Sequence, residues 1–252
     1  MFPRLLSMLA TLLPLAAAAA ERRTFEMRVY QTNPGKMEAL HQRFRQHTLR
    51  LFAKHGITSI GYWTPVKTDD QRLLFVLAYP SAAARETSWK AFAADPEWQA
   101  AMAESEKDGK LLSGMESTML TPTDFSPAVE PATPAEARTF ELRTYTTTPG
   151  NQERLLSRFR DHTAGLFARH GMQNFGYWTP LAGQPGADNK LIYLLAHRSE
   201  QAAAESFKAF RTDPEWTKAK TASEAAAGGS LTTSPDGVLS LFLKPTDYSP
   251  TK

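Results

Sequence analysis

The 252-residue chain contains no cysteine, which excludes disulfides, thiolate metal sites, a cysteine nucleophile and a lipid-bearing Cys together. It has no apolar run of the roughly 20 residues that a membrane-spanning helix needs. No Gly-rich phosphate loop, Gly-x-Ser-x-Gly elbow or His-Glu-x-x-His pair occurs. Charge is nearly balanced, with 29 Lys and Arg against 26 Asp and Glu, and the basic residues form no stripe that could follow a phosphate backbone. Nucleic acid, a bound metal and an integral membrane segment are therefore not expected, and no cofactor is implied. Stability must come from a packed core.

The first residues that are present read as a leader. Met1 to Ala20 holds one Arg (Arg4), an apolar run from Leu5 to Leu15 and a string of alanines before Glu21, the layout of a secretory signal. The expectation is cleavage before Glu21 and a mature protein in the bacterial periplasm, or secreted.

The rest of the chain is written twice. Arg23-Thr-Phe-Glu-Met-Arg-Val-Tyr30 recurs as Arg138-Thr-Phe-Glu-Leu-Arg-Thr-Tyr145, and Gly61-Tyr-Trp-Thr-Pro65 as Gly176-Tyr-Trp-Thr-Pro180. Between residues 23–65 and 138–180, 26 of the 43 aligned positions are identical. Asp95-Pro-Glu-Trp98 returns as Asp213-Pro-Glu-Trp216, and Pro122-Thr-Asp-Phe-Ser-Pro127 as Pro245-Thr-Asp-Tyr-Ser-Pro250. A period this long makes each copy a domain rather than a solenoid repeat. The boundaries are 1–20 for the signal, 21–127 for the first domain, 128–137 for a Pro-, Ala- and Glu-containing linker, and 138–252 for the second domain.

Within a copy the pattern is strand, helix, strand, strand, helix, strand. Residues 24–32 alternate, with Phe25, Met27 and Val29 on one face and Glu26, Arg28 and Tyr30 on the other. Asn33-Pro34 reads as a cap and first-turn proline of a helix running to His55, and Gly56 stops it. Strands are expected near residues 58–64, 73–79 and 116–121, with a helix opening at Ser81 and restarting at Asp95-Pro96. Such a βαββαβ unit is the ferredoxin-like α+β fold, with both helices on one sheet face. Phe25, Met27 and Val29 are expected to meet the helices. Glu26, Arg28 and Tyr30 are expected on the open face, where the second copy's sheet would cover them.

The Arg-Thr-Phe-Glu-(Met/Leu)-Arg-x-Tyr strand, followed by Pro-Gly, His-Thr, His-Gly and Gly-Tyr-Trp in both copies, resembles the NIPSNAP family. The resemblance implies two tandem ferredoxin-like domains closing into an intramolecular, pseudo-dimeric α/β barrel, with further homo-oligomerisation left open. The wider superfamily includes cofactor-free monooxygenases and haem-degrading enzymes, and mitochondrial members resemble adaptors in organelle quality control. It supplies no catalytic set for these positions.

Two groups of residues could carry chemistry. On a helical wheel, His47 and His55 fall within about 60° of the Leu40–Phe44–Leu51 stripe, and His162 and His170 repeat them. His47 and His162 are the catalytic candidates, since an imidazole can act as a base near neutrality. The structural reading is a buried ring bonded to backbone or carboxylate. His55 and His170, just before a helix-ending Gly, are placed to meet the negative end of the helix dipole. The polar strand set Glu26, Arg28, Tyr30 and its copy Glu141, Arg143, Tyr145 forms the second group, as ligand-binding residues or as a network that fixes how the sheets meet. Tyr62 and Trp63, with Tyr177 and Trp178, alternate on their strands, so one of each pair can face a given pocket. Three readings remain open: a small molecule bound between sheet and helices, an interaction protein, and a cofactor-independent monooxygenase or isomerase using His47 or His162.

Overall fold

The structure is a computed structural model, and it describes residues 23–252. The leader, its cleavage site and the export they imply lie outside the described residues. No described helix is long and apolar enough to cross a membrane.

Copy one contains β1 (Thr24–Thr32), α1 (Met37–Arg43), a π-helical segment (Phe44–Thr48), α2 (Leu49–Lys54), β2 (Thr58–Pro65), β3 (Arg72–Tyr79), α3 (Ala82–Ala94), α4 (Pro96–Ser105) and β4 (Leu112–Pro122). Copy two repeats the series as β5 (Thr139–Thr146), α5 (Gln152–Arg158), a π segment (Phe159–Thr163), α6 (Ala164–Arg169), β6 (Gln173–Pro180), β7 (Lys190–His197), α7 (Glu200–Arg211), α8 (Pro214–Ala227) and β8 (Val238–Pro245). The local signals mostly act as their chemistry dictates. Gly56 ends α2 in the left-handed region at φ 72°, where a Cβ would be strained. Ser81 accepts from the Ala84 amide at 3.2 Å, and Asp95 from that of Glu97 at 2.9 Å, as helix caps do. Asn33-Pro34 departs from expectation: Asn33 donates to the Lys110 carbonyl, Pro34-Gly35 forms a turn, and α1 starts later, with Lys36 at the N-cap and no side-chain bond capping the helix.

All eight strands join one closed antiparallel barrel in the order β1-β3-β2-β8-β5-β7-β6-β4. Two short seams close it between the copies. Trp63, Thr64 and Pro65 of β2 pair with Pro245, Lys244 and Leu243 of β8, and Leu120, Thr121 and Pro122 of β4 with Pro180, Thr179 and Trp178 of β6. Closure removes free strand edges at these seams, which would otherwise template aggregation.

The faces of β1 and β5 are the reverse of the sequence expectation. Phe25 and Met27 point into the barrel and pack with Trp63, Leu74, Phe140 and Trp178, with Val29 against the same cluster. Tyr30 instead meets the helices, packing with Phe44 and Phe75, and Glu26 and Arg28 lie on that side. The reason is that this sheet has no open face. The lumen must be filled by apolar groups from both copies, and it takes the more uniformly apolar stripe of β1. The helix side receives residues that bring both a ring and a polar tip. Tyr62 and Tyr177 also face the helices while Trp63 and Trp178 fill the lumen, the alternation expected of them. Gly61 and Gly176 make room for those indoles, since a Cβ at either would collide with the neighbouring Trp ring.

The exit turns do more than leave the domain. Phe125 of copy one packs on Tyr177 of copy two at 5.4 Å, Ser126 Oγ accepts from the Tyr177 amide at 3.0 Å, and Asp124 pairs with Arg160 at 2.8 Å. Tyr248 of copy two stacks on Phe44 of copy one at 5.9 Å, Ser249 Oγ accepts from the Tyr62 amide at 2.9 Å, and Asp247 pairs with Arg45 at 2.7 Å. The repeated Pro-Thr-Asp-(Phe/Tyr)-Ser-Pro segment is thus a reciprocal clasp that completes the other copy's core.

Candidate functional site

The wide turn within each first helix decides where the histidines go. Thr48 Oγ1 bonds the Arg43 carbonyl at 3.2 Å and Thr163 Oγ1 that of Arg158 at 3.1 Å, both five residues back. A π segment inserts about one residue into the turn and rotates everything after it. Thr48 and Thr163 are therefore buried, as are Arg43 and Arg158. His47 is only half-buried, its Nδ1 without a partner among the described residues, and His162 is exposed, on a shallow groove between α5 and α8. Neither lies in an enclosed pocket. His55 and His170 bond the cap carboxylates Asp95 at 2.7 Å and Asp213 at 2.8 Å, tying the end of one helix to the start of another. Among the described residues no group of three His, Asp or Glu is placed to hold a metal.

The polar strand set is the centre of each copy's sheet–helix interface, but the two copies assemble it differently. In copy one Glu26 is fully buried. It accepts from Tyr79 at 2.8 Å, Arg85 at 2.8 and 3.2 Å, Trp89 Nε1 at 2.9 Å and Ser117 at 2.6 Å, with Arg28 at 3.4 Å. Burial alone would raise its pKa, yet Arg85, Ser117, Arg28 and Tyr79 together hold it below the ordinary value. Arg28 stacks on the Trp89 ring at 4.1 Å, so the space beneath α3 is occupied by protein.

Copy two carries smaller groups at the matching helix positions. Ala203 stands in place of Arg85 and Phe207 in place of Trp89, while His197 replaces Tyr79 and Tyr193 replaces Phe75. Glu141 accepts from His197 at 3.1 Å, Ser240 at 2.6 Å and Arg143 at 2.5 Å. Burial pushes its pKa up, but the His197 bond, Arg143 and Ser240 leave it lowered overall. Arg143 is held from three sides. Its Nε donates to Tyr193 at 3.0 Å, its Nη2 to Tyr145 at 3.4 Å, and its plane lies 4.7 Å over Phe207.

Above this group opens a cavity of about 430 Å³ between β5 and helices α7 and α8. Arg143, Tyr145, Phe207, Phe210 and Trp216 form its floor, and Arg211, Thr217, Lys220, Thr221 and Glu224 its rim. Three cations thus face one lining carboxylate. The rim cations Arg211 and Lys220 have no counterpart in copy one, where Ala93 and Met102 stand. Of the residues proposed from sequence, Arg143 and Tyr145 line this cavity. Glu141 supports it from beneath, Tyr177 lies in the core below, Trp178 faces the lumen, and the copy-one set lines no such space. Sequence reading missed Tyr193, His197, Phe207, Arg211, Trp216 and Lys220. Aligning the second helical stretch of each copy, where Arg85, Trp89, Ala93 and Met102 become Ala203, Phe207, Arg211 and Lys220, is the signal that would have found three of them.

A family model described as NIPSNAP matches residues 25–127 and again residues 140–250. No curated protein matches the chain. A NIPSNAP family protein from Agrobacterium tumefaciens shares 26% identity, over 42% of this chain and 99% of its own, at a TM-score of 0.39. Putative monooxygenases from Lactobacillus acidophilus and Fusobacterium nucleatum match more of the barrel. They cover 92% and 89% of this chain and 97% and 92% of their own, at TM-scores of 0.56 and 0.57 with 10% and 11% identity. At such identity the likeness is one of fold alone.

Proposed function

The chain belongs to the NIPSNAP family, and on that premise we propose that it binds a small organic acid in the cavity between sheet and helices of its second copy, while the first copy serves as scaffold. The observation that carries this reading is the replacement of Arg85 and Trp89 by Ala203 and Phe207, beside a cavity of about 430 Å³. That volume lies within the roughly 300–1,000 Å³ of ordinary small-molecule sites. Its aromatic floor suits a flat or apolar body. Arg143, oriented by Tyr193, Tyr145 and Glu141, offers a fixed fork to a carboxylate, and Arg211 and Lys220 add positive field at the entrance. No imidazole lines the cavity, so the arrangement favours binding over general-base catalysis. Export of the mature protein, as the leader suggests, would place this binding in the periplasm or outside the cell.

Calorimetric titration tests the reading. Benzoate should bind, and benzamide and benzylamine should bind at least tenfold more weakly. Arg211→Ala and Lys220→Met should each weaken benzoate several-fold, with melting temperatures unchanged. Equal affinity for all three probes, or indifference to both substitutions, would overturn it.

A further inference from the structure

A second cavity, of about 440 Å³, opens between the two half-barrels and is lined by both copies. Its wall is apolar: Met27, Leu74, Leu142, Ile192 and Leu241 continue the lumen core outward. Leu239 at the rim is 55% exposed, and Val29 beside it is only partly covered. Leaving so much aliphatic surface facing one opening is costly for a monomeric protein unless something covers it.

The charges at the opening are related by the repeat but not balanced alike. Arg72 and Lys190 occupy equivalent places at the start of β3 and β7. Arg72 is already compensated, since Asp70 pairs with it through both carboxylate oxygens at 2.8 and 2.5 Å and Glu116 adds negative field from β4. Lys190 has no ion-pair partner among the described residues, and the place matching Glu116 is taken by Leu239. Asp188 matches Asp70 in the repeat but makes no ion pair with Lys190, so the copy-two side of the opening presents an unpaired ammonium next to an apolar slot.

We propose that this slot binds a monoanionic aliphatic amphiphile of the fatty-acid class, its chain in the lumen between the half-barrels and its carboxylate at Lys190. The pairing of Arg72 fixes the polarity: the head group is drawn to the copy-two side, and Glu116 repels it from the other. Thr144, also on the lining, provides a hydroxyl within the same slot. This site is separate from the sheet–helix cavity, because the lumen and helix faces of β5 point in opposite directions.

The full chain should be titrated with decanoate below its micelle concentration. One molecule should bind per chain, and decyltrimethylammonium at least tenfold more weakly. Lys190→Met should weaken decanoate about fivefold. Leu239→Glu, at an exposed position that cannot disturb the core, should weaken it about tenfold, and Val29→Trp should abolish it by filling the slot. Phe207→Trp, which narrows the other cavity, should leave the decanoate affinity unchanged and so separates the two sites. Absence of binding, equal affinity for the cationic amphiphile, or sensitivity to Phe207→Trp without sensitivity to Leu239→Glu would overturn the proposal. So would a chain that sediments as a dimer with this opening covered and takes up no decanoate.

Discussion

The two copies share a fold and a strand motif but solve the same burial problem in different ways. In each, a glutamate and an arginine of the first strand lie against helices, where an unpaired charge would be expensive. Copy one brings five hydrogen-bonding or ionic partners to Glu26, two of them large groups from α3. Copy two provides three for Glu141 and uses smaller helix residues, which leaves space above Arg143. The comparison teaches that a duplicated polar cluster can remain a structural lock in one half while opening into a ligand-sized space in the other. The change lies in the covering helix, not in the strand that carries the motif.

The largest effect expected is on the lock itself. Glu26→Ala should cost about 3–5 kcal/mol, because it strands Arg28 and Arg85 without their carboxylate. Glu141→Ala should cost less, about 1–3 kcal/mol, because the adjoining cavity lets water reach Arg143. Urea denaturation of the two variants decides this, and equal losses would break the distinction between lock and pocket. Next come the features the copies share. Gly61→Ala and Gly176→Ala should each cost about 1–3 kcal/mol by overpacking the lumen. The second should be at least as damaging, since the new methyl would also meet Val129 at 2.8 Å.

Acidification probes the same carboxylates. The pKa values of Glu26 and Glu141 are both lowered from 4.5 in the folded protein. Their contribution to stability is therefore complete above about pH 4.5 and is lost as pH falls through their lower folded values. Denaturation midpoints should hold between pH 7 and 5 and fall below pH 4, and Glu26→Gln should flatten that fall more than Glu141→Gln.

A smaller stability effect accompanies Phe207→Trp, which restores the copy-one residue. It should change stability by less than about 1.5 kcal/mol yet remove benzoate binding, as calorimetry would show. The smallest effects belong to the helix histidines. His47→Ala and His162→Ala should each shift stability by no more than about 0.5 kcal/mol, since one ring is half-buried without a bonded partner and the other exposed. A loss of several kcal/mol from His162→Ala alone would show that the π segment relies on that side chain.

Much of the fold is legible in the sequence. The repeat, the element order, the Ser81, Asp95 and Asp213 caps and the Gly56 stop are local or periodic signals, and such signals act over a few residues. The histidine positions were not legible, because a wheel of 3.6 residues per turn has no place for the extra residue at Phe44–Thr48 and Phe159–Thr163. The clasp made by Phe125 and Tyr248 was hidden for another reason. A short Pro-bounded segment reads as a turn wherever its aromatic ring finally docks.

The sequence by itself determined that β1 and β5 have one apolar and one charged face, that the chain carries two copies of one domain, and that no thiol chemistry is available. Only the tertiary structure decided which face turned inward. Alternation fixes two sides of a strand but gives neither side a neighbour. Barrel closure assigned the lumen to Phe25, Met27 and their copies, and the helices to Glu26, Arg28 and Tyr30. The same closure brought Arg143 under Phe207 rather than against the other sheet, so the space above it arises from contacts between residues more than 60 positions apart in the chain.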